Sequence, residues 1–314
     1  MRSDTSSGVL DWDKDGRDWP NREASRFVDA GGLRWHVQIS GSGPVLLLLH
    51  GTGASSHSWR GLFPLLTRSF TVVAPDLPGH GFTAEASADQ LSLPGMARAV
   101  TALLETLNLQ PACIAGHSAG AAIALRMCLD ATVMPRAVIS INGALRPFGG
   151  MAAQLFPVMA RMLAFNPFVQ RFVAARAEDK AAVARLIQGT GSRLDAEGLE
   201  FYRRLFSTQS HVAAALGMMA SWDLEALQRD LPKLKQPLTL IVGEADKAVP
   251  PEDARMIRRQ LPHAVIVSMR GAGHLCHEER PEEAAQMIID AADADHGSDD
   301  KQAHHPPLAK RSRG

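Results

Sequence analysis

Ser118 stands at the centre of Gly116-His117-Ser118-Ala119-Gly120, a pentapeptide whose residue types suit a serine nucleophile. A serine hydroxyl is presented for attack when it sits on a sharp strand-to-helix turn, and that turn excludes bulk two residues before and two after it. Gly116 and Gly120 meet both demands. The pattern arises by chance in roughly one chain of this length in ten, so its context has to decide. An apolar run, 111–115, precedes it and a helical stretch, 121–127, follows it, which is the required strand, turn and helix. Such a serine needs a base, and the base needs an orienting acid. In sheets that carry this turn, the chain order is nucleophile, acid, base. Downstream, the run 238–242 ends in Gly243-Glu244-Ala245-Asp246, and the run 264–269 leads into Gly271-Ala272-Gly273-His274. The expected triad is Ser118, Asp246 and His274. Glu244 is the rival acid, set closer to its strand; His277 is the rival base, with Cys276 as a bystander thiol.

Acyl transfer also needs donors for the oxyanion that develops in the transition state. The backbone N–H groups of Thr52, in the Gly-rich turn His50-Gly51-Thr52-Gly53-Ala54, and of Ala119, just after the nucleophile, are the expected pair. His50, Gly51, Gly53, His80, His117, Phe148 and Met151 are expected to line the substrate site. Asp76-Leu77-Pro78-Gly79-His80-Gly81 reads as a structural turn beside it. No phosphate-binding GxxxxGK[ST] or GxGxxG pattern is present, and no cofactor is expected. His274, His277 and Glu278 lack the helical spacing of a metal-binding HExxH, so no metal site is expected either.

The elements that must position these groups follow from the apolar pattern. Eight runs read as strands: 26–29, 33–39, 45–50, 70–74, 112–116, 137–142, 238–242 and 264–269. The inner ones are continuously apolar, as for parallel strands covered on both faces. Leu93, Met96, Val100, Leu103, Leu104 and Leu107 recur at helical spacing between the fourth and fifth runs. The expected fold is therefore α/β, a doubly wound, mostly parallel eight-stranded sheet, with a hairpin at Gly31-Gly32 on an antiparallel edge. Residues 146–230 contain no convincing strand and read as an inserted helical cap, with helices near 152–165, 169–188, 194–207 and 209–220. The core is then 23–145 with 231–292, the N-terminal arm 1–22, and the polar tail 293–314. Trp12 and Trp19 predict that part of the arm packs on the body.

Across 314 residues, 33 Lys and Arg balance 33 Asp and Glu, which argues against nucleic acid as a partner. Three scattered cysteines, no apolar leader and no aliphatic run longer than 45–49 predict a cytoplasmic protein. Phe148, Phe156, Phe165, Phe168 and Phe172 could instead form an interfacial face, leaving peripheral membrane contact open beside ordinary core packing.

The motifs HGTG, GHSAG, GEAD and GHLCHEERP, in that order, resemble the α/β-hydrolase superfamily over about residues 24–292. Ser118 at the elbow sets the chain apart from members with an aspartate nucleophile. A closer resemblance runs through DWPNREASRFV, GGLRWHVQ, HGTGASSHSWR, DLPGHGFT, INGALRPF and MMASWDL, stretches similar to the magnesium-chelatase accessory family of bacteriochlorophyll biosynthesis. That resemblance implies a tetrapyrrole context: a hydrophobic ester such as a magnesium-porphyrin intermediate as substrate, and association with magnesium chelatase. The leading expectation is a serine hydrolase acting on such an ester. The alternative is a non-catalytic porphyrin-binding or chelatase accessory protein, and lyase or cofactor-free peroxidase chemistry on the same triad stays open.

Overall fold

A computed structural model describes residues 8–147 and 166–294. Eight strands form one sheet: β1 (Ser25–Ala30), β2 (Leu33–Ser40), β3 (Val45–Leu49), β4 (Thr71–Pro75), β5 (Cys113–His117), β6 (Ala137–Ile141), β7 (Leu238–Gly243) and β8 (Val265–Met269). Their order is β1-β2-β4-β3-β5-β6-β7-β8. β1 and β2 form the antiparallel edge hairpin, turning through Gly31 and Gly32 at φ of 56° and 77°, and β2 runs antiparallel to β4. From β4 to β8 every pairing is parallel.

The continuous apolar runs are explained by burial on both faces. In β3, Leu47 and Leu49 join one core, with Met96, Val100 and Leu103 of α3 (Leu93–Thr106) and Ile123 of α4 (Ala119–Leu129). Leu46 and Leu48 point the other way, into a second core with Phe63 and Leu66 of α2 (Phe63–Leu66) and with Ile288 of the helix Pro281–Asp293. Alternate side chains of a strand face opposite sides of the sheet, so a strand covered twice must be apolar at every position.

Between β6 and β7 the described residues hold α5 (Pro167–Ala177), α6 (Lys180–Gly189), α7 (Ala196–Phe206), α8 (Gln209–Ser221) and α9 (Leu224–Asp230). The single helix expected over 169–188 is two, because Asp179 caps α6 by accepting the Ala181 N–H at 2.9 Å. Asp195 caps α7 in the same way, through the Gly198 N–H at 2.7 Å. A side-chain acceptor satisfies an otherwise orphaned helical N–H and sets where the helix starts. The segment 152–165, with Phe148, Met151, Phe156 and Phe165, lies outside the described residues. Phe168 and Phe172 of α5 are 77% and 70% exposed, so they do not belong to a packed core.

The arm carries the short helix α1 (Trp12–Asp15) and then buries Trp19 against Phe82 and Phe201. The Trp19 indole N–H donates to Ser56 Oγ at 3.2 Å. Among the described residues no helix is long and apolar enough to cross a membrane.

Candidate active site

Ser118 follows β5 directly and precedes the first residue of α4. Its backbone lies at φ 50°, ψ −114°, a conformation that costs a non-glycine residue about 1–3 kcal/mol and persists only where neighbours enforce it. Enforcement comes from β6 and beyond: the Ser118 N–H donates to the Ile141 carbonyl at 3.0 Å, and the Ser118 carbonyl accepts from Ala144 at 3.1 Å. The flanking glycines are needed for close approach. A Cβ on Gly116 would lie 2.4 Å from the Ala121 nitrogen, and one on Gly120 would lie 2.0 Å from the Leu49 carbonyl oxygen. Among the described residues Ser118 Oγ has no hydrogen-bond partner, and a nucleophile–base bond is often formed only once substrate is bound.

Asp246 emerges after β7 and is buried. Its Oδ1 accepts the N–H groups of Ala248 and Val249 at 2.7 and 2.9 Å, which leaves Oδ2 aimed at His274 Nδ1, 2.8 Å away. The His274 carbonyl is clamped in turn by Asn142 Nδ2 and His117 Nε2, each donating at 2.9 Å. Asn142, just after β6, also donates to Gly273 at 3.0 Å and accepts the Gly243 N–H at 2.7 Å, so one amide ties the end of β7 to the loop that carries His274. Glu244 is exposed. His277 is buried between the rings of Trp59 and His117, with centroids at 4.8 and 4.4 Å, and burial foremost, then the charges of His274 and Arg60, pushes it down to about 3. Cys276 is buried as well, and desolvation pushes its thiol up.

The turn carrying Thr52 is braced from two sides. His50 Nε2 accepts the Leu77 N–H at 2.8 Å, so its proton sits on Nδ1 and is donated to the Gly51 carbonyl, also at 2.8 Å. His211 of α8 accepts the Gly81 N–H at 3.1 Å and donates from Nε2 to the Gly53 carbonyl at 3.0 Å. Burial holds both imidazoles below their ordinary range, His211 down to about 4, so each stays neutral and acts as a donor and an acceptor at once. Gly51 is pressed against the elbow, where a Cβ would lie 2.9 Å from His117 Nδ1 and 3.1 Å from Ser118 Cβ. The N–H groups of Thr52 and Ala119 donate to no acceptor among the described residues.

These pieces meet at one cavity of about 380 Å³. Thr52, Ser118, Ala119 and His274 line it together; Pro147, Met219, Trp222, Leu224 and Val249 form apolar walls; Asp223 and Glu225 stand at its α9 side. His50, Gly51, Gly53, His80 and His117 lie outside that lining, behind it, and Phe148 and Met151 fall outside the described residues. His80 is fully buried, donating from Nδ1 to the Pro78 carbonyl at 3.0 Å. Asp76 is structural: it takes the N–H groups of Ser56 and Phe82 at 2.6 and 2.9 Å and pairs with His36 at 2.8 Å. Among the described residues no group of three or more His, Cys, Asp or Glu could hold a metal ion. Sequence reasoning missed Asn142 and His211. A polar residue closing a buried strand is a signal for the first; His211 sits on a helix with no local pattern to mark it.

Residues 46–287 match the model of the alpha/beta hydrolase family. The chain belongs to that family. Over 274 residues, 87% of this chain and 95% of the relative, it is 42% identical to the magnesium-chelatase 30 kDa subunit of Rhodobacter capsulatus. It is 26% identical over 258 residues to the uncharacterized hydrolase YugF of Bacillus subtilis, covering 81% of this chain and 92% of that one. Among solved structures, an alpha/beta hydrolase fold protein from Burkholderia ambifaria superposes with a TM-score of 0.72 at 24% identity, covering 85% and 97% of the two chains, a likeness of fold. In this member of the family the C-terminal ends of β3 and β5 and the loop after β8 carry Thr52, Ser118 and His274 to one cavity, with Asp246, after β7, bonded to His274, at the edge where open α/β sheets bind ligands.

Proposed function

We propose that the chain is a serine hydrolase that cleaves an uncharged, largely apolar ester, with Ser118 as nucleophile, His274 as base and Asp246 as orienting acid. One observation carries the reading: His274, paired to Asp246 at 2.8 Å, shares a largely apolar cavity with a strained serine and two backbone N–H groups that have no acceptor among the described residues. His274 takes the Ser118 proton through Nε2 as Oγ attacks the ester carbonyl, and Thr52 and Ala119 hold the oxyanion. The imidazolium then protonates the departing alcohol, and water, deprotonated by the same imidazole, releases the acid. Asp223 and Glu225, with no Lys or Arg among the described lining residues, favour a substrate without an anionic group near the carbonyl. The α5–α9 helices serve as a cap that supplies the apolar walls.

The 42% identity to a magnesium-chelatase subunit supports a place in magnesium-tetrapyrrole synthesis, with a magnesium-porphyrin ester as substrate. The same relationship supports a second reading, an accessory partner of chelatase that binds without turnover. The two separate on the nucleophile. A fluorophosphonate probe labels the wild-type protein and not Ser118→Ala; equal labelling of both removes Ser118 from the reaction. Full restoration of pigment synthesis by Ser118→Ala and His274→Ala in a deletion strain assigns the function to binding.

A further inference from the structure

The turn at residues 190–192, which joins α6 to α7, touches both loops that carry the acid and the base. The Thr190 carbonyl accepts the His274 N–H at 3.3 Å and the Lys247 N–H at 3.0 Å, so one acceptor holds the base itself and the residue after the acid. Ser192 is fully buried, and its Oγ accepts the N–H of Leu275 at 2.8 Å. Two successive N–H groups of the base loop therefore end on one turn, although 83 residues of chain separate Ser192 from Leu275. Between them Gly191, at φ 88°, allows backbone to lie on backbone. A Cβ on Gly191 would come 2.0 Å from the Ala245 carbonyl oxygen, and one on Gly273 would come 2.4 Å from the Gly191 carbonyl carbon.

The turn does not hang free. Val183 and Ile187 of α6 and Tyr202 of α7 form one apolar cluster with Leu275, next to the base, and Ala54, at the end of the Thr52 turn. Thr190 is fastened to α6 by donating from Oγ1 to the Ile187 carbonyl at 2.6 Å. The helices between β6 and β7 are thereby joined to the loops of Asp246 and His274 by three hydrogen bonds, the one accepted by Ser192 fully buried.

We propose that the 190–192 turn is a positioning strap: through Thr190 and Ser192 it holds the Asp246 and His274 loops at their mutual spacing, with Ser192 as the side chain that acts. The proposal rests on Asp246 and His274 being acid and base. Misplacing a catalytic group by about an ångström costs on the order of a hundredfold in rate, so a lost strap is felt in turnover more than in affinity.

The test uses the full chain and Ser192→Ala, Ser192→Thr and Val100→Ala, the last a buried truncation in α3 with no contact to these loops. Two quantities are read: the rate of fluorophosphonate labelling, and the far-downfield proton resonance of His274 Nδ1–H, identified as the one lost in Asp246→Asn. In Ser192→Ala labelling slows by roughly ten- to a hundredfold and the resonance broadens or vanishes. Ser192→Thr, which keeps the hydroxyl, returns both, while Val100→Ala lowers the melting temperature and moves neither. Wild-type labelling and an intact resonance in Ser192→Ala overturn the proposal, as does a loss that Val100→Ala matches at equal loss of melting temperature. A wild-type protein that is never labelled defeats the hydrolase reading alone, because the resonance needs the Asp246–His274 pair and not turnover.

Discussion

At the scale of single residues, the site is a matter of which nitrogen carries a proton. In the proposed reaction His274 accepts the Ser118 proton on Nε2 only if Nδ1 is held as the donor, and Asp246 Oδ2 at 2.8 Å holds it so. Asp246→Asn keeps the Oδ1 bonds to Ala248 and Val249 but can present its amide N–H to Nδ1, which then becomes the acceptor. The tautomer is inverted with little change of shape. Turnover of a model ester is expected to fall by about 10³–10⁴-fold with the melting temperature nearly unchanged, measured by steady-state kinetics and calorimetry. Activity within tenfold of wild type would remove Asp246 from the reaction. The same proton logic shows why His117, His50 and His211 belong to the framework. Each spends a nitrogen on a backbone carbonyl of the site, at His274, Gly51 and Gly53 respectively.

At the scale of elements, the site depends on how closely α4 can lie on β3 and β5. Gly120 is on the helix, yet a side chain there would meet the Leu49 carbonyl oxygen at 2.0 Å, backbone that has no flexible end to yield. Gly120→Ala is therefore expected to cost about 3 kcal/mol or more, seen as a lowered urea midpoint or insoluble protein, while Ala122→Gly on the same helix costs about 1 kcal/mol. Equal stability of Gly120→Ala and wild type would mean that the elbow is looser than drawn. These close contacts also explain what was legible beforehand. The inner strands could be read nearly to the residue, because burial on both faces makes them largely apolar. Ser118 could be read because its two glycines answer a local steric demand. Asn142, His211 and the 190–192 turn could not, since their work is done across chain separations of 57 to 158 residues and nothing local constrains their type. The break between α5 and α6 was missed because a capping Asp179 resembles an exposed residue inside one long amphipathic pattern.

At the scale of the whole molecule, the frame around the site is built from histidines taken out of water. His50, His57, His80, His117, His211 and His277 are all buried, and desolvation lowers each of them, His211 to about 4 and His277 to about 3. Unfolded, each would titrate near 6.5, so between that pH and the folded value the unfolded chain binds more protons and stability falls as pH falls, by about 1.4 kcal/mol per pH unit for each group. For His211 and His277 together the loss at pH 5 is on the order of 4 kcal/mol, a large part of the roughly 5–15 kcal/mol that keeps a domain folded. Glu278 works the other way. Burial raises it to about 7 despite donors on Arg60 and Tyr202, so its contribution is present below its unfolded value and is lost as pH rises towards 7. One carboxyl set against six imidazoles leaves the balance with the histidines, and the urea midpoint is expected to be highest above pH 6.5 and to drop steeply between 6.5 and 5. His277 gives the sharpest check, because neither ring nitrogen has a hydrogen-bond partner among the described residues and its neighbours are aromatic. His277→Phe should leave stability at pH 7.5 equal or higher, make the decline between pH 6.5 and 5 shallower by about one proton, and retain fluorophosphonate labelling. A variant that is stable but no longer labelled would transfer the role of base from His274 to His277; an unchanged slope would mean that His277 is not held neutral in the fold.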